Sequence, residues 1–322
     1  MGGAKSVSTI AICQLQISLL MKRTLYILTM LMISCTTPVD ITESDFIPKM
    51  VVGGVFTPGE PVRVLISPER DILSVLVPED HISGASVALN QNNQEITILV
   101  EKRNALDSTI IDPGAYEASG LDATIIEMGS TYEVTISKAG YPNARAMVTI
   151  PSVIPVFNVD TSYVTRFGGE FTLNVVILIP EVVSEAYYQL YTVLEFGEYE
   201  SDSITRLIDT TLPTVESFKL EDHLLDDLLF EDGKIPNDRK VKLRLPLPNV
   251  RSLREGPGPT FTMELRNLSE EYFRYLDTSL LQELQSGDPF SQPVNVFSNV
   301  EGGLGIVGSY TKSSVVITVD IE

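Results

Sequence analysis

Cysteine is almost missing from this chain. Cys13 and Cys35 are the only two, both near the N-terminus, and residues 36–322 contain none. Disulfides and cysteine–zinc sites are therefore excluded from the body. Tryptophan is absent, and the two histidines, His81 and His223, lie far apart in sequence. That leaves little for a zinc site or a histidine-based catalytic apparatus. Cations are scarce as well: 23 Lys and Arg stand against 43 Asp and Glu, a net charge of −20. The first 35 residues hold Lys5, Lys22, Arg23 and no acid, so the remainder carries −23. Such a surface repels phosphate backbones and argues against nucleic acid as a partner. Anionic lipid headgroups do not attract it either, so membrane attachment needs a source other than charge. Finally, no apolar run reaches the ~20 residues of a spanning helix. Residues 10–20, interrupted by Gln14 and Gln16, and residues 24–33 both fall short.

What is present begins with the second of those runs. Met21, Lys22 and Arg23 form a basic start, residues 25–33 an apolar stretch, and Ser34 a small residue before Cys35. This is the order of a signal peptide, and Leu31-Met32-Ile33-Ser34-Cys35 fits a bacterial lipobox, with Met32 at −3 a tolerable departure from the aliphatic ideal. Residues 1–35 are then the signal region, with translation expected to begin at Met21. Cys35 is the expected lipidated first mature residue; the alternative is an ordinary cysteine after an ordinary signal peptide. Three acyl chains on Cys35 would anchor the protein stably, since one binds marginally and two suffice. Residues 36–48, with Pro38, Asp40, Glu43 and Asp45, read as a polar tether.

The body is 322 residues less this segment, enough for two domains, and hydrophobic residues at 43% allow a sizeable core. Its patterning predicts a mainly β fold. Strand signals recur at residues 50–56, 62–67, 85–89, 95–100, 131–137 and 146–150. Turn sequences punctuate them at 57–60, 90–94 and 112–116. Tyr132, Val134 and Ile136 alternate onto one face. Short strands at this density over residues 49–152 point to an immunoglobulin-like β-sandwich. Pro151 to Pro155 marks a junction, and residues 153–322 form a second β-rich domain with one or two helices. Its strand candidates are 171–179, 187–196, 240–247, 260–268 and a last one at 314–320. The clearest helix spans 269–285, with Ser269 as N-cap, Glu270 and Glu271 in its first turn, and Phe273, Leu276 and Leu280 at helical spacing.

Few constellations carry chemistry. His81 has Asp80 and Ser83 beside it, but catalytic triads assemble from distant segments, and an exposed loop histidine is the plainer reading. Around His223, Asp222, Asp226 and Asp227 fall near one helical face, where carboxylates could hold Ca²⁺. The EF-hand order is absent, and a solvated acidic face over buried leucines is the plainer account. No phosphate-binding loop or Gly-x-Ser-x-Gly elbow occurs. The glycines of Val300-Glu301-Gly302-Gly303-Leu304-Gly305 suit close backbone packing in a sheet.

The stretch Pro293-Val294-Asn295-Val296-Phe297-Ser298-Asn299-Val300-Glu301-Gly302-Gly303-Leu304-Gly305 resembles the ending of the Bacteroidota lipoproteins catalogued as domain of unknown function 4249. Val51-Val52-Gly53-Gly54, Gly84-Ala85-Ser86-Val87, Gly114-Ala115-Tyr116, Tyr132-Glu133-Val134 and Leu229-Phe230-Glu231-Asp232-Gly233-Lys234 are similar in the same order. Ile306 stands where the family often has an aromatic. The resemblance implies an outer-membrane location and genes often placed beside TonB-dependent transporters; it defines no catalytic residue. The resulting expectation is a non-enzymatic, lipid-anchored, cell-surface protein without cofactor or metal. It would assist such a transporter in capturing an unknown small ligand. A structural or adhesive surface module is the alternative, and a surface hydrolase the third reading.

Overall fold

In the computed structural model, backbone is described for residues 47–70, 81–103, 109–119, 125–153, 155, 157–167, 170–182, 185–200, 203–210, 214–215, 227–247, 260–285, 292 and 294–318. All of these belong to one compact unit, Ile47–Glu322. The signal region, Cys35 and the tether up to Asp45 lie outside the described residues.

The chain is mainly β. Its first seven strands are β1 (Met50–Phe56), β2 (Arg63–Pro68), β3 (Ser86–Gln91), β4 (Gln94–Glu101), β5 (Ala115–Glu117), β6 (Thr131–Ser137) and β7 (Ala144–Thr149). Antiparallel pairing runs β1–β2–β5–β4 in one layer and β3–β6–β7 in the other. The fourth strand pairs β3 as far as Leu99 and then β5 at Val100 and Glu101, switching layers at its end. Lettered A to G in chain order, this is A–B–E against C–F–G, with D paired first to C and then to E at its end, an immunoglobulin-like arrangement. Alternation drives it: Tyr132, Val134 and Ile136 are buried while Thr131 and Ser137 are exposed. The layers bury Val52, Val64 and Ile66 against Val87, Leu89 and Val148 in one cluster. Asn92 and Asn93, at φ 53° and 62°, form the two-residue turn between β3 and β4. The Tyr132 hydroxyl accepts from the Glu127 N–H at 2.9 Å and donates to the Ile125 carbonyl at 3.2 Å. Such a tyrosine corner locks the entry to the sixth strand.

A second sandwich follows. One layer orders β12 (Thr214–Val215), β14 (Lys240–Leu247), β9 (Glu170–Leu178) and β8 (Asn158–Phe167). The other contains β11 (Ser203–Thr210), β10 (Tyr187–Glu200) and β15 (Thr260–Leu268), with β13 (Asp227–Glu231) also paired to β10. Val175, Ile177 and Val241 share a core with Tyr188, Phe230, Phe261 and Met263. Helix α1 (Glu270–Gln285) buries Phe273 and Leu280, and Phe273 lies 4.7 Å from the Tyr187 ring. Ser269 caps it: its Oγ accepts from the Tyr272 N–H at 3.3 Å. Ser269→Ala is expected to lower stability by about 1 kcal/mol, read as a drop in the thermal midpoint with the fold intact.

The C-terminus departs most from expectation. Instead of one strand at 314–320, β16 (Val300–Glu301) pairs β7, and β17 (Leu304–Thr318) begins ten residues earlier than its alternation suggests. From Leu304 to Ser309 it runs parallel to β1; from Tyr310 to Thr318 it runs antiparallel to β15. Val300 and Val307, within the stretch that sequence alone assigns to the second domain, are buried in the first core.

Candidate functional site

The residues singled out by sequence are not brought together. His81 is half-buried, and the Ser83 hydroxyl beside it is committed to Glu101. Asp80, His223, Asp222 and Asp226 lie outside the described residues. Asp227 is a correction: it opens strand β13, paired with Tyr191, so it cannot sit on a helical face. The edge of the long tenth strand supplies hydrogen-bond partners there and prevails over the helical spacing of the leucines. Among the described residues no group of three or more His, Cys, Asp or Glu is placed to hold a metal ion.

One concave surface does gather acids around a tyrosine. A cleft of about 440 Å³ lies where Gly129 and residues 149–153, leaving the first sandwich, meet Val182, residues 185–187 and residues 267–271 at the start of α1. Glu185, Tyr187, Glu270 and Glu271 line it. Burial pushes the Tyr187 hydroxyl pKa up, and the charges of Glu270, Glu185 and Glu231 push it further, against the opposing Arg274. The field in the cleft is therefore negative and disfavours an anion. Other polar lining groups serve the fold: Ser269 caps the helix, and Asn267 Nδ2 donates to the Val153 carbonyl at 3.1 Å. Four separate stretches of the chain build this surface, so no local pattern could have revealed it.

The motifs that carry the family resemblance turn out to be staples. Gly84 and Gly114, from two of them, donate their N–H groups to the two carboxylate oxygens of Glu101 at 3.1 and 2.9 Å. Tyr116 ties the same loops: its hydroxyl accepts from Ala85 N–H and donates to the Ile82 carbonyl, both at 2.8 Å. Burial and the Glu101 charge raise the pKa of that hydroxyl, against the Ala85 N–H, so it keeps its proton. In Leu229-Phe230-Glu231-Asp232-Gly233-Lys234, Asp232 takes two bonds from the Arg239 guanidinium at 2.6 and 3.2 Å. Arg239 also donates to the carbonyls of Ile179 and Pro180. The Tyr188 hydroxyl is pushed up to about 12 by burial and by the nearby Asp232. Asn299 Nδ2 donates to the carbonyls of Met147 and Val307, each at 2.9 Å, and its Oδ1 accepts from Val307 N–H at 3.0 Å.

Comparison with known proteins adds the following. The profile of a family described as Domain of unknown function (DUF4249) matches residues 36–315. No curated protein matches the chain. Among solved structures a marsupial T cell receptor is similar at 8% identity, over 81% of this chain and 74% of that one, with a TM-score of 0.23. A likeness that slight bears on nothing further.

Proposed function

We propose that this chain, which belongs to the DUF4249 family, is a non-catalytic Bacteroidota lipoprotein. It is anchored in the outer membrane through Cys35 and displays its sandwiches at the cell surface, where it assists a TonB-dependent transporter in nutrient capture. The observation that carries this reading is the position of the family match. It starts at residue 36, immediately after the lipobox cysteine, so the family's body is what signal cleavage would leave on a lipid anchor. The acidic body, at −23, gives no electrostatic route to a membrane, and acyl chains supply one. The cleft beside α1 is the seat for a ligand, with a field that turns anions away.

Cys35→Ala in the native host is the first test. Loss of fatty-acid labelling and release of the protein from the membrane fraction are expected; unchanged labelling would remove the anchor. Purification from mild detergent should then recover an outer-membrane β-barrel with the natural protein, and recovery without one counts against the transporter role. The stapled motifs favour a second reading, a stiff spacer or adhesive module. A deletion strain separates the two: impaired nutrient uptake supports capture, whereas lost attachment with normal uptake supports the spacer.

A further inference from the structure

The first sandwich is not finished by its own seven strands. Its outer edges are β1 in one layer and β7 in the other, and both are covered by residues from the far end of the chain. Strand β17 pairs with β1 from Val51↔Leu304 to Phe56↔Ser309. On the other edge, β16 pairs Val300 with Ala146 and Glu301 with Arg145. The Asn299 amide bridges the two, bonded to the Met147 carbonyl of β7 and to both backbone groups of Val307 in β17. Val300 and Val307 are 7% and 0% exposed and belong to the first core.

Without a break, β17 then continues into the second sandwich. Along the way its hydroxyls fasten the junction between the two. Ser309 Oγ donates to the Thr149 carbonyl at 2.8 Å, Thr311 Oγ1 to Val153 at 2.6 Å, and Ser313 Oγ to Pro155 at 2.5 Å. Lys312 Nζ reaches back to Glu60 at 2.6 Å.

We propose that the segment 299–309 is a latch: until it seats between β1 and β7 the first sandwich stays open, and the whole body then folds as one cooperative unit. Leaving the latch unseated exposes the unpaired N–H and C=O groups of two edge strands and removes two buried valines from the core. Its closure joins segments some 250 positions apart and pays for that long loop only when both sandwiches form around β17. Resting on the export reading above, the latch has a use. A chain that must cross a membrane unfolded cannot complete its first sandwich before its last residues are available. The cooperativity itself does not depend on export, so the two stand or fall separately.

The absence of tryptophan makes the test clean. In the full body, residues 36–322, a single reporter is placed in either core by Phe56→Trp or Phe261→Trp, and urea unfolding is followed by fluorescence. Within each variant the fluorescence midpoint is expected to coincide with the midpoint by far-UV circular dichroism, and adding Asn299→Ala should lower both reporters' midpoints by the same urea concentration. Separate midpoints, a shift confined to the first reporter, or no shift at all overturns the proposal. Where a reporter does not fold, pulsed hydrogen exchange during refolding of the natural body decides. Amides of β1 should gain protection together with those of β17 and β15. A phase that protects the first seven strands while β17 stays open defeats the latch.

Discussion

Gly305→Val is expected to abolish the cooperative unfolding transition of the body, or to move it to a small fraction of its natural urea midpoint. Gly305 sits at φ +101°, where L-residues are strained, and a β-carbon there would be built into the Val52 carbonyl oxygen. Neither side can yield easily. Val52 is held at this register by its pairing to Gly305 on one side and to Ile66 on the other, and its side chain is 1% exposed in the core. The strained backbone alone costs on the order of 1–3 kcal/mol. Adding the steric conflict brings the loss to roughly 4 kcal/mol or more, a large share of the ~5–15 kcal/mol available to a folded domain. Gly53→Ala is the matched control. It lies one register position along the same strand pair, opposite Ile306, and a β-carbon there meets nothing within 4 Å. That change should stay within about 1 kcal/mol of the natural protein. Similar urea midpoints for the two variants would show that the close approach of the strands carries no stability.

The same glycines explain why this part of the fold was hard to read from sequence. Residues 131–137 alternate cleanly and were legible to the residue, as was the helix with its Ser269 cap. The first half of β17 was not, because Gly302, Gly303, Gly305 and Gly308 dissolve the alternation by which a strand is recognised. What puts Gly305 and Gly308 in a strand is the backbone of a segment about 250 positions away, which no local window contains. β5 was hidden by its length of three residues directly after a turn. Residues 227–231 fit a helix as well as a strand in sequence, because a short apolar run flanked by acids suits either period, and the pairing with β10 decides for the strand. Of the candidate residues, Cys35 and His223 lie outside the described structure, and the cleft draws on segments that sequence gives no reason to join. One polar staple does leave a signal in the sequence. Glu101 stands two positions after Leu99 in an alternating strand, so it occupies a core-facing register position. A charge at such a position needs partners, and it has them in Gly84 and Gly114.

Glu101→Gln should therefore be the most costly single change of a polar side chain in the first sandwich. Glu101 is 7% exposed. Burial pushes its pKa up, but the N–H groups of Gly114 and Gly84, the Ser83 hydroxyl and the Arg103 charge together outweigh it, and the pKa lies below the ordinary value of 4.5. Glutamine keeps one acceptor oxygen and turns an NH₂ group toward one of the two glycine donors, stranding it. Bonds to charged acceptors are worth ~1.5–3 kcal/mol each, so a loss of about 2–3 kcal/mol is expected at neutral pH, measured by urea unfolding. The pH dependence fixes the cause. A carboxyl held below its unfolded value contributes stability that is fully present above about pH 4.5 and is lost as the pH falls through the folded value. The natural protein should thus lose stability on acidification below that point. Glu101→Gln should be less stable at neutral pH yet show a shallower fall in the acid range, so the two curves converge. Parallel curves would mean that the variant disturbs packing alone and that the charge on Glu101 does not hold the two loops.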